Sequence, residues 1–146
     1  MFKFKLQPVL ALKEKIEESK KKELGEASAF KEIKEQERHS LEVKKEYTYN
    51  KVMELQQGIM DLNYMRELSS YIIELDKQIA AKTIEVLEAE EEVERKRKEL
   101  ADAVKDRKTL DRLKEIDFEN YMLEEKQEEQ RIIDEIVTYK FREKSN

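Results

Sequence analysis

The chain of 146 residues has no cysteine and no tryptophan, one proline, two glycines and one histidine. Without cysteine there is no disulfide, no thiolate nucleophile and no thiolate metal site, a usage that fits a reducing cytosol. Turns draw on glycine and proline, so their scarcity excludes a turn-rich globular domain. No segment approaches the ~18 apolar residues of a membrane span. The apolar run Val9-Leu10-Ala11-Leu12 is far short of a signal-peptide core of ~7–15 residues. Neither phosphate-cradling glycine motif is present. His39 stands alone beside Glu37 and Arg38, with no convergent partners for metal binding or proton transfer. The expectation is therefore no enzyme activity, no cofactor and no metal.

Charged residues make up 45% of the chain and hydrophobic ones 38%, a balance that reads as long helix or coiled coil. The net charge is −5, with both signs interleaved rather than gathered into the basic patch of a nucleic-acid binder. Glu91/Arg95, Glu92/Lys96 and Glu94/Lys98 sit four apart, the order that suits ion pairs along a helix.

The strongest signal is a heptad rhythm. Ile72, Leu75, Ile79, Lys82, Val86, Ala89, Val93, Lys96, Leu100, Ala103, Arg107 and Leu110 step by three and four, and all but Lys82, Lys96 and Arg107 are apolar. A repeat of about 3.5 residues keeps a narrow stripe facing one partner helix. Those nine apolar residues are the expected coiled-coil seam, and their periodicity argues against a disordered chain.

The fold class expected is all-α: one antiparallel two-helix coiled-coil hairpin, 1–146, with the C-terminal helix longer. Helix 1 is expected over about 8–57, opening on Pro8, which fits a first helical turn. The turn is expected over about 58–68, marked by Gly58, Asp61 and Asn63, with Ser69 and Ser70 as N-caps. Helix 2 is expected over about 69–141. Residues 1–7 read as frayed or extended. The first-half stripe begins with Val9, Leu12 and Ile16, thins through Ser19 and Glu23 with Leu24 and Ala27 nearby, and returns at Phe30 and Ile33. After a register slip between Ile33 and Leu41, the residues Leu41, Thr48, Val52, Leu55, Ile59 and Leu62 restore the rhythm. Gly25 sits mid-helix at a cost of ~1 kcal/mol.

The longer helix leaves Phe118, Tyr121, Ile132, Ile133, Ile136, Val137, Tyr139 and Phe141 without a partner in the chain, unless Phe2, Phe4 and Leu6 fold onto some of them. Such a stripe points to docking on another protein. Tyr71, Ile73 and Tyr64 widen the apolar arc near the turn, which serves either to pack the turn or to dock a partner. Tyr47, Thr48 and Tyr49 and the methionines read as seam filling. Two other architectures fit parts of the pattern. One is a parallel homodimeric spacer or tether, continuous through 56–70; the other is a prefoldin-like holdase.

Three segments resemble a known family. Phe2-x-Phe4-x-Leu6-Gln7-Pro8-Val9-Leu10, the block Tyr71-Ile72-Ile73-Glu74-Leu75-Asp76-Lys77-Gln78-Ile79, and Asp106-Arg107-Lys108-Thr109-Leu110-Asp111-Arg112-Leu113-Lys114 followed by Tyr121, Gln130 and Asp134-Glu135 are similar, in order, to FliJ proteins of the flagellar type III export apparatus. The resemblance implies an antiparallel hairpin like the gamma stalk of rotary ATP synthases. It implies a stalk and adaptor that docks in the hexameric export ATPase (FliI) and promotes its assembly, with the mostly polar tip around Glu124, Glu125, Glu128, Glu129 and Arg131 facing the ring. It further implies binding to the export gate protein FlhA and to export chaperones, by a protein that is monomeric when free. It implies as well no insertion in the membrane and a place in the cytoplasm, peripheral to the inner membrane at the flagellar base. The family's gate-binding stripe falls on Tyr71, Leu75, Gln78 and Lys82, where Gln78 and Lys82 are polar departures.

Overall fold

The structure is a computed structural model that describes residues 1–58 and 61–145. Helix α1 spans Gln7–Gln56 and helix α2 spans Leu62–Ser145. There is no strand among the described residues. The two helices pack against each other, α2 being the longer, as the heptad pattern and the scarcity of turn residues predict. Their direction is read from the ion pairs. As numbers rise along α1 they fall along α2: Lys20 pairs with Glu99, Lys31 with Glu90, Lys34 with Glu85 and Lys45 with Asp76. That order is antiparallel, and the continuous helix of the parallel-dimer alternative is broken between Gln56 and Leu62.

Local chemistry sets the helix ends. The Gln7 amide donates to the Phe4 carbonyl at 3.1 Å, and Pro8 follows where its missing N–H costs nothing. Asp61 caps α2: its Oδ1 accepts from the amides of Asn63 and Tyr64 at 3.1 and 3.2 Å, and its carbonyl accepts from the Met65 amide. A side-chain acceptor at this position satisfies donors that no helical carbonyl reaches. Helix α2 thus starts at Leu62 and not near residue 69, because Asp61 caps before Ser69 and Ser70 are reached and Met65 and Leu68 are half-buried. It also runs past 141, ending with Arg142 and Lys144 in its last turn, where cations favour the helix dipole. Ile59, expected to continue the α1 stripe, lies outside the described residues.

The contacts divide into two compact units, one of Ser19–Ala101 and one joining Met1–Glu18 to the chain from Asp102 onward. In the Ser19–Ala101 unit, α1 offers Lys20, Leu24, Ala27, Lys31, Lys34, Arg38, Leu41, Lys45, Thr48, Val52 and Leu55, every one buried or half-buried. These steps of four and three are unbroken, so the expected slip between Ile33 and Leu41 does not occur. Phe30 and Ile33, taken for seam, are about half exposed. Long cationic side chains fill their place by laying methylene stems along the groove with the charge at its edge. The Phe30 ring lies instead beneath the Lys34 ammonium, 5.3 Å from its centroid, at cation–π distance. On α2, Leu75 is 1% exposed, Val86, Ala89 and Val93 are buried, and Ile72, Ile79 and Leu100 are half-buried.

The other unit is built on Phe4, Leu10 and Leu110, with Phe2 packed against them. Ala103 is buried in it as well. Residues 1–4 are not helical, but they are not frayed. The Phe2 ring meets Phe118 edge-on at 5.3 Å and Tyr121 at 5.5 Å, both within the range of favourable aromatic pairs. The arm therefore covers part of the stripe that α1 is too short to reach.

Candidate docking surfaces

The three polar breaks in the α2 seam each meet a glutamate of α1. Lys82 Nζ lies 2.6 Å from Glu37 Oε2 and 2.9 Å from Glu85. Lys96 reaches Glu23 at 3.3 Å. Arg107 donates to Glu17, which is buried, and to Asp111. The hydrogen bond from Lys82 holds the Glu37 carboxyl below the ordinary carboxylate range. Lys96 and then Lys20 do the same for Glu23, and the bond to Glu37 raises Lys82 in turn. Polar groups at seam positions fix register and orientation, because any other pairing leaves them unsatisfied. These residues hold the hairpin in register and leave α2 two free surfaces.

The first surface lies near the start of α2. Tyr71 is 46% exposed, and Ile73 and Tyr64 are also exposed, so the wide apolar arc remains open to solvent. Gln78 is exposed beside it. Of the stripe Tyr71, Leu75, Gln78 and Lys82, then, Tyr71 and Gln78 present themselves to solvent. Leu75 is sealed in the seam and Lys82 is half-buried between two glutamates. Across the helix pair, Glu37, Ser40, Leu41 and Lys44 of α1 form a groove with Gln78, Ala81 and Lys82. Sequence reasoning missed Ser40 and Lys44. Their signal was the register of Leu41: once Leu41 is a seam residue, Ser40 and Lys44 lie along one edge of it. Nearby, Thr48 is buried and its hydroxyl donates to the Lys44 carbonyl at 2.8 Å. Tyr47 and Tyr49, expected as seam filling with it, are exposed, because a narrow seam takes only Thr48 from the three.

The second surface is the end of α2. Every described residue from Met122 to Ser145 is exposed, including Ile132, Ile133, Ile136, Val137, Tyr139 and Phe141. Local pairs support the helix there: Tyr121 donates to Glu125 at 2.9 Å, Gln130 to Asp134 at 3.0 Å, and Arg131 to Glu128 and Glu135. The bond to Glu125 raises the Tyr121 hydroxyl pKa. Such i,i+3 and i,i+4 contacts stabilise an isolated helix modestly, without burying its apolar side chains. Glu124 and Glu129 are exposed among them. Among the described residues no cluster of three or more His, Asp or Glu could hold a metal ion, and no helix is long and apolar enough to cross a membrane.

Comparison with known proteins agrees with the two-helix fold. The model of the flagellar FliJ protein family matches residues 2–146. A solved structure of a putative YscO homolog, CT670 from Chlamydia trachomatis, superposes with a TM-score of 0.73 over 94% of each chain at 21% sequence identity. At that identity the likeness is one of fold. No curated protein sequence matches the chain significantly.

Proposed function

The chain belongs to the flagellar FliJ family, components of the type III protein export apparatus, and on that premise we propose that it acts as a stalk and adaptor between the hexameric export ATPase (FliI) and the membrane export gate (FlhA). The observation that carries this reading is the contrast along α2. One stretch has its apolar stripe sealed by α1, and the stretch from Met122 onward holds its apolar side chains bare on a helix supported by local hydrogen bonds and ion pairs. A helix that exposes six large apolar groups between Ile132 and Phe141 invites a partner that covers them. In this proposal that partner is the ATPase ring, and the acidic residues Glu124, Glu125, Glu128 and Glu129 keep the approach polar. The surface at Tyr71 and Gln78 is assigned to the gate, with Leu75 and Lys82 holding it in shape from beneath. Export chaperones are further partners of the adaptor. The free protein is a cytoplasmic monomer that gathers at the membrane-facing base of the flagellum.

The test uses the purified chain with its cognate ATPase and the cytoplasmic part of the gate. A chain ending after Tyr121 should lose stimulation of ATPase assembly and hydrolysis while retaining gate binding. Tyr71→Asp should do the opposite, since Tyr71 is exposed and its loss leaves the seam intact. If the full-length chain neither binds the ATPase nor alters its hydrolysis, the stalk assignment fails.

A further inference from the structure

The exposed end of α2 carries a charge gradient and a heptad stripe that the hairpin itself does not use. From Met122 to Glu135 it is acidic: Glu124, Glu125, Glu128, Glu129, Asp134 and Glu135 stand against Lys126 and Arg131. Beyond Ile136 it is basic: Lys140, Arg142 and Lys144 stand against Glu143. Within it, Lys126, Glu129, Ile133, Ile136, Lys140 and Glu143 step by three and four, the spacing of a stripe that faces one partner helix. Ile133 and Ile136, at its centre, are 52% and 50% exposed. Arg131 is held within the helix by Glu128 and Glu135. The four charges of the stripe have no ion-pair partner among the described residues.

The stripe is complementary to itself when reversed. A second copy turned end for end, about a two-fold axis between Asp134 and Glu135, brings Ile136 of that copy level with Ile133. It also brings Lys140 of that copy level with Glu129, and Glu143 of that copy level with Lys126. The symmetry makes each pair occur twice. A shift of one heptad sets Ile133 against Glu129, or Ile136 against Lys140. A parallel pairing keeps the isoleucines together but sets each of the four charges against its own kind, which is unfavourable. The hairpin already uses this construction, since Lys82 and Lys96 stand in the α2 seam and meet Glu37 and Glu23 of an antiparallel helix. In the reversed register the end of one α2, at Ser145, comes level with Glu124 of the other. It stops just short of Tyr121, where the Phe2 ring already covers the helix.

We propose that the exposed end of α2 pairs with the same stretch of a second copy of this chain, antiparallel about Asp134 and Glu135. Two isoleucine layers form the centre, with the Glu129–Lys140 and Lys126–Glu143 pairs on either side fixing direction and register. Lysine stems pack in such layers while their ammonium groups reach the edge. So short a contact is weak, so the pair forms at high concentration and the monomer persists when the protein is dilute. Pairing covers the apolar face that the proposed function assigns to the ATPase ring, so pair and ring compete for it. That competition rests on the stalk reading, whereas the pairing rests on the stripe alone.

The experiment is sedimentation of the purified full-length chain from low to high micromolar concentration. The parent should pass from monomer to dimer with a dissociation constant of the order of 10–100 µM, as suits a small contact. Glu129→Lys and Lys140→Glu should each weaken pairing by about tenfold or more, because each sets like charges together twice in the seam. Carrying both changes should restore pairing to within about threefold of the parent, since the two partners have merely exchanged places. Circular dichroism of each variant separates lost pairing from lost helix. Spin labels on Glu124→Cys should lie about 30–40 Å apart in the antiparallel pair, against about 20 Å in a parallel one. Adding the cognate ATPase should dissolve the pair. A parent that stays monomeric throughout, a double variant no better than the single ones, or labels at the parallel distance each overturns the pairing. If the pair forms but the ATPase neither binds nor dissolves it, the stalk reading falls and the pairing stands. If the ATPase is stimulated and no pair forms, the pairing falls and the stalk reading stands.

Discussion

Two stretches of α2 carry similar apolar residues at helical spacing and differ in what meets them. Between Ile72 and Leu100, every seam position is buried or half-buried against α1. Between Met122 and Ser145, every described residue is exposed. Composition does not separate the two, since both mix isoleucine, leucine or valine with dense charge. The difference lies in the partner helix: α1 is 50 residues long and α2 is 84. The same chemistry therefore serves cohesion in one stretch and stands exposed to solvent in the other.

The sharpest way to break that comparison is to remove one apolar side chain from each. Leu75→Ala deletes a side chain that is 1% exposed and should cost about 2–5 kcal/mol, the range for large-to-small core substitutions. Ile133→Ala removes a half-exposed group and should move stability by less than about 0.5 kcal/mol, while weakening the proposed ATPase contact. Chemical denaturation monitored by circular dichroism reads the first effect, and ATPase stimulation reads the second. Equal stability losses at the two sites would mean that the end of α2 is packed after all.

The arm is the intermediate case, and it ranks second. Phe4 is buried and Phe2 meets Phe118 edge-on and Tyr121 at a tilt, at the last point where α2 is covered. Phe4→Ala should cost roughly 1–3 kcal/mol, within the usual span for a single buried contact. Hydrogen exchange should rise at residues 114–121 and stay unchanged at Ile72–Leu100. Exchange that rises throughout would show the arm to be part of the whole hairpin's cohesion rather than a local cover.

What was legible in the sequence follows from which side chains announce themselves. Helix α2 could be read because Leu75, Val86, Ala89 and Val93 repeat at heptad spacing through a charged background, and the hairpin followed from the break near Gly58. The seam of α1 was hidden, because Lys20, Lys31, Lys34, Arg38 and Lys45 occupy positions where a hydrophobic pattern is sought. Their methylene stems pack while their charges read as surface. Phe30 and Ile33 then drew the register off by one position. The arm was legible only as an alternative: residues 1–7 read as frayed or extended, with Phe2, Phe4 and Leu6 as one possible cover for the stripe, because residues outside any helix carry no periodicity that marks what they touch. The gate stripe was placed by resemblance, and burial divides it in a way that spacing alone could not.

The ionic seam yields a smaller, pH-dependent effect. Glu37 and Glu85 are lowered first by the hydrogen bond from Lys82, Glu23 by that from Lys96, and Glu99 by that from Lys20. A carboxyl whose folded pKa is depressed contributes stability above its unfolded value, and that contribution is lost as pH falls through the folded value. Lys20 and Lys82 are raised, so their contribution is complete below their unfolded value and is lost only as pH rises through the folded one. Melting temperature should therefore be level across neutral pH and fall once pH drops below the ordinary carboxylate value of 4.5. The groups are partly exposed, so salt should blunt the acid-side fall. A melting temperature that keeps rising below that pH would show the seam ion pairs to be net unfavourable.

The smallest effect is the most selective. Gly25 lies inside α1 with nothing within 4 Å of an added Cβ and no positive φ. Gly25→Ala should therefore raise stability by about 0.5–1 kcal/mol through helix propensity alone, since no contact is made or lost. Thr138→Ala is the counterpart in the bare stretch, where the threonine hydroxyl bonds back to the Asp134 carbonyl at 2.8 Å and alanine is the better helix former. If the paired helices unfold as one unit and the end of α2 frays by itself, the first substitution shifts the global melt. The second changes only the low-temperature helicity and local exchange around residue 138. A global shift from both would mean that the bare stretch melts with the hairpin, and its exposed apolar face would then need a covering partner within the free protein.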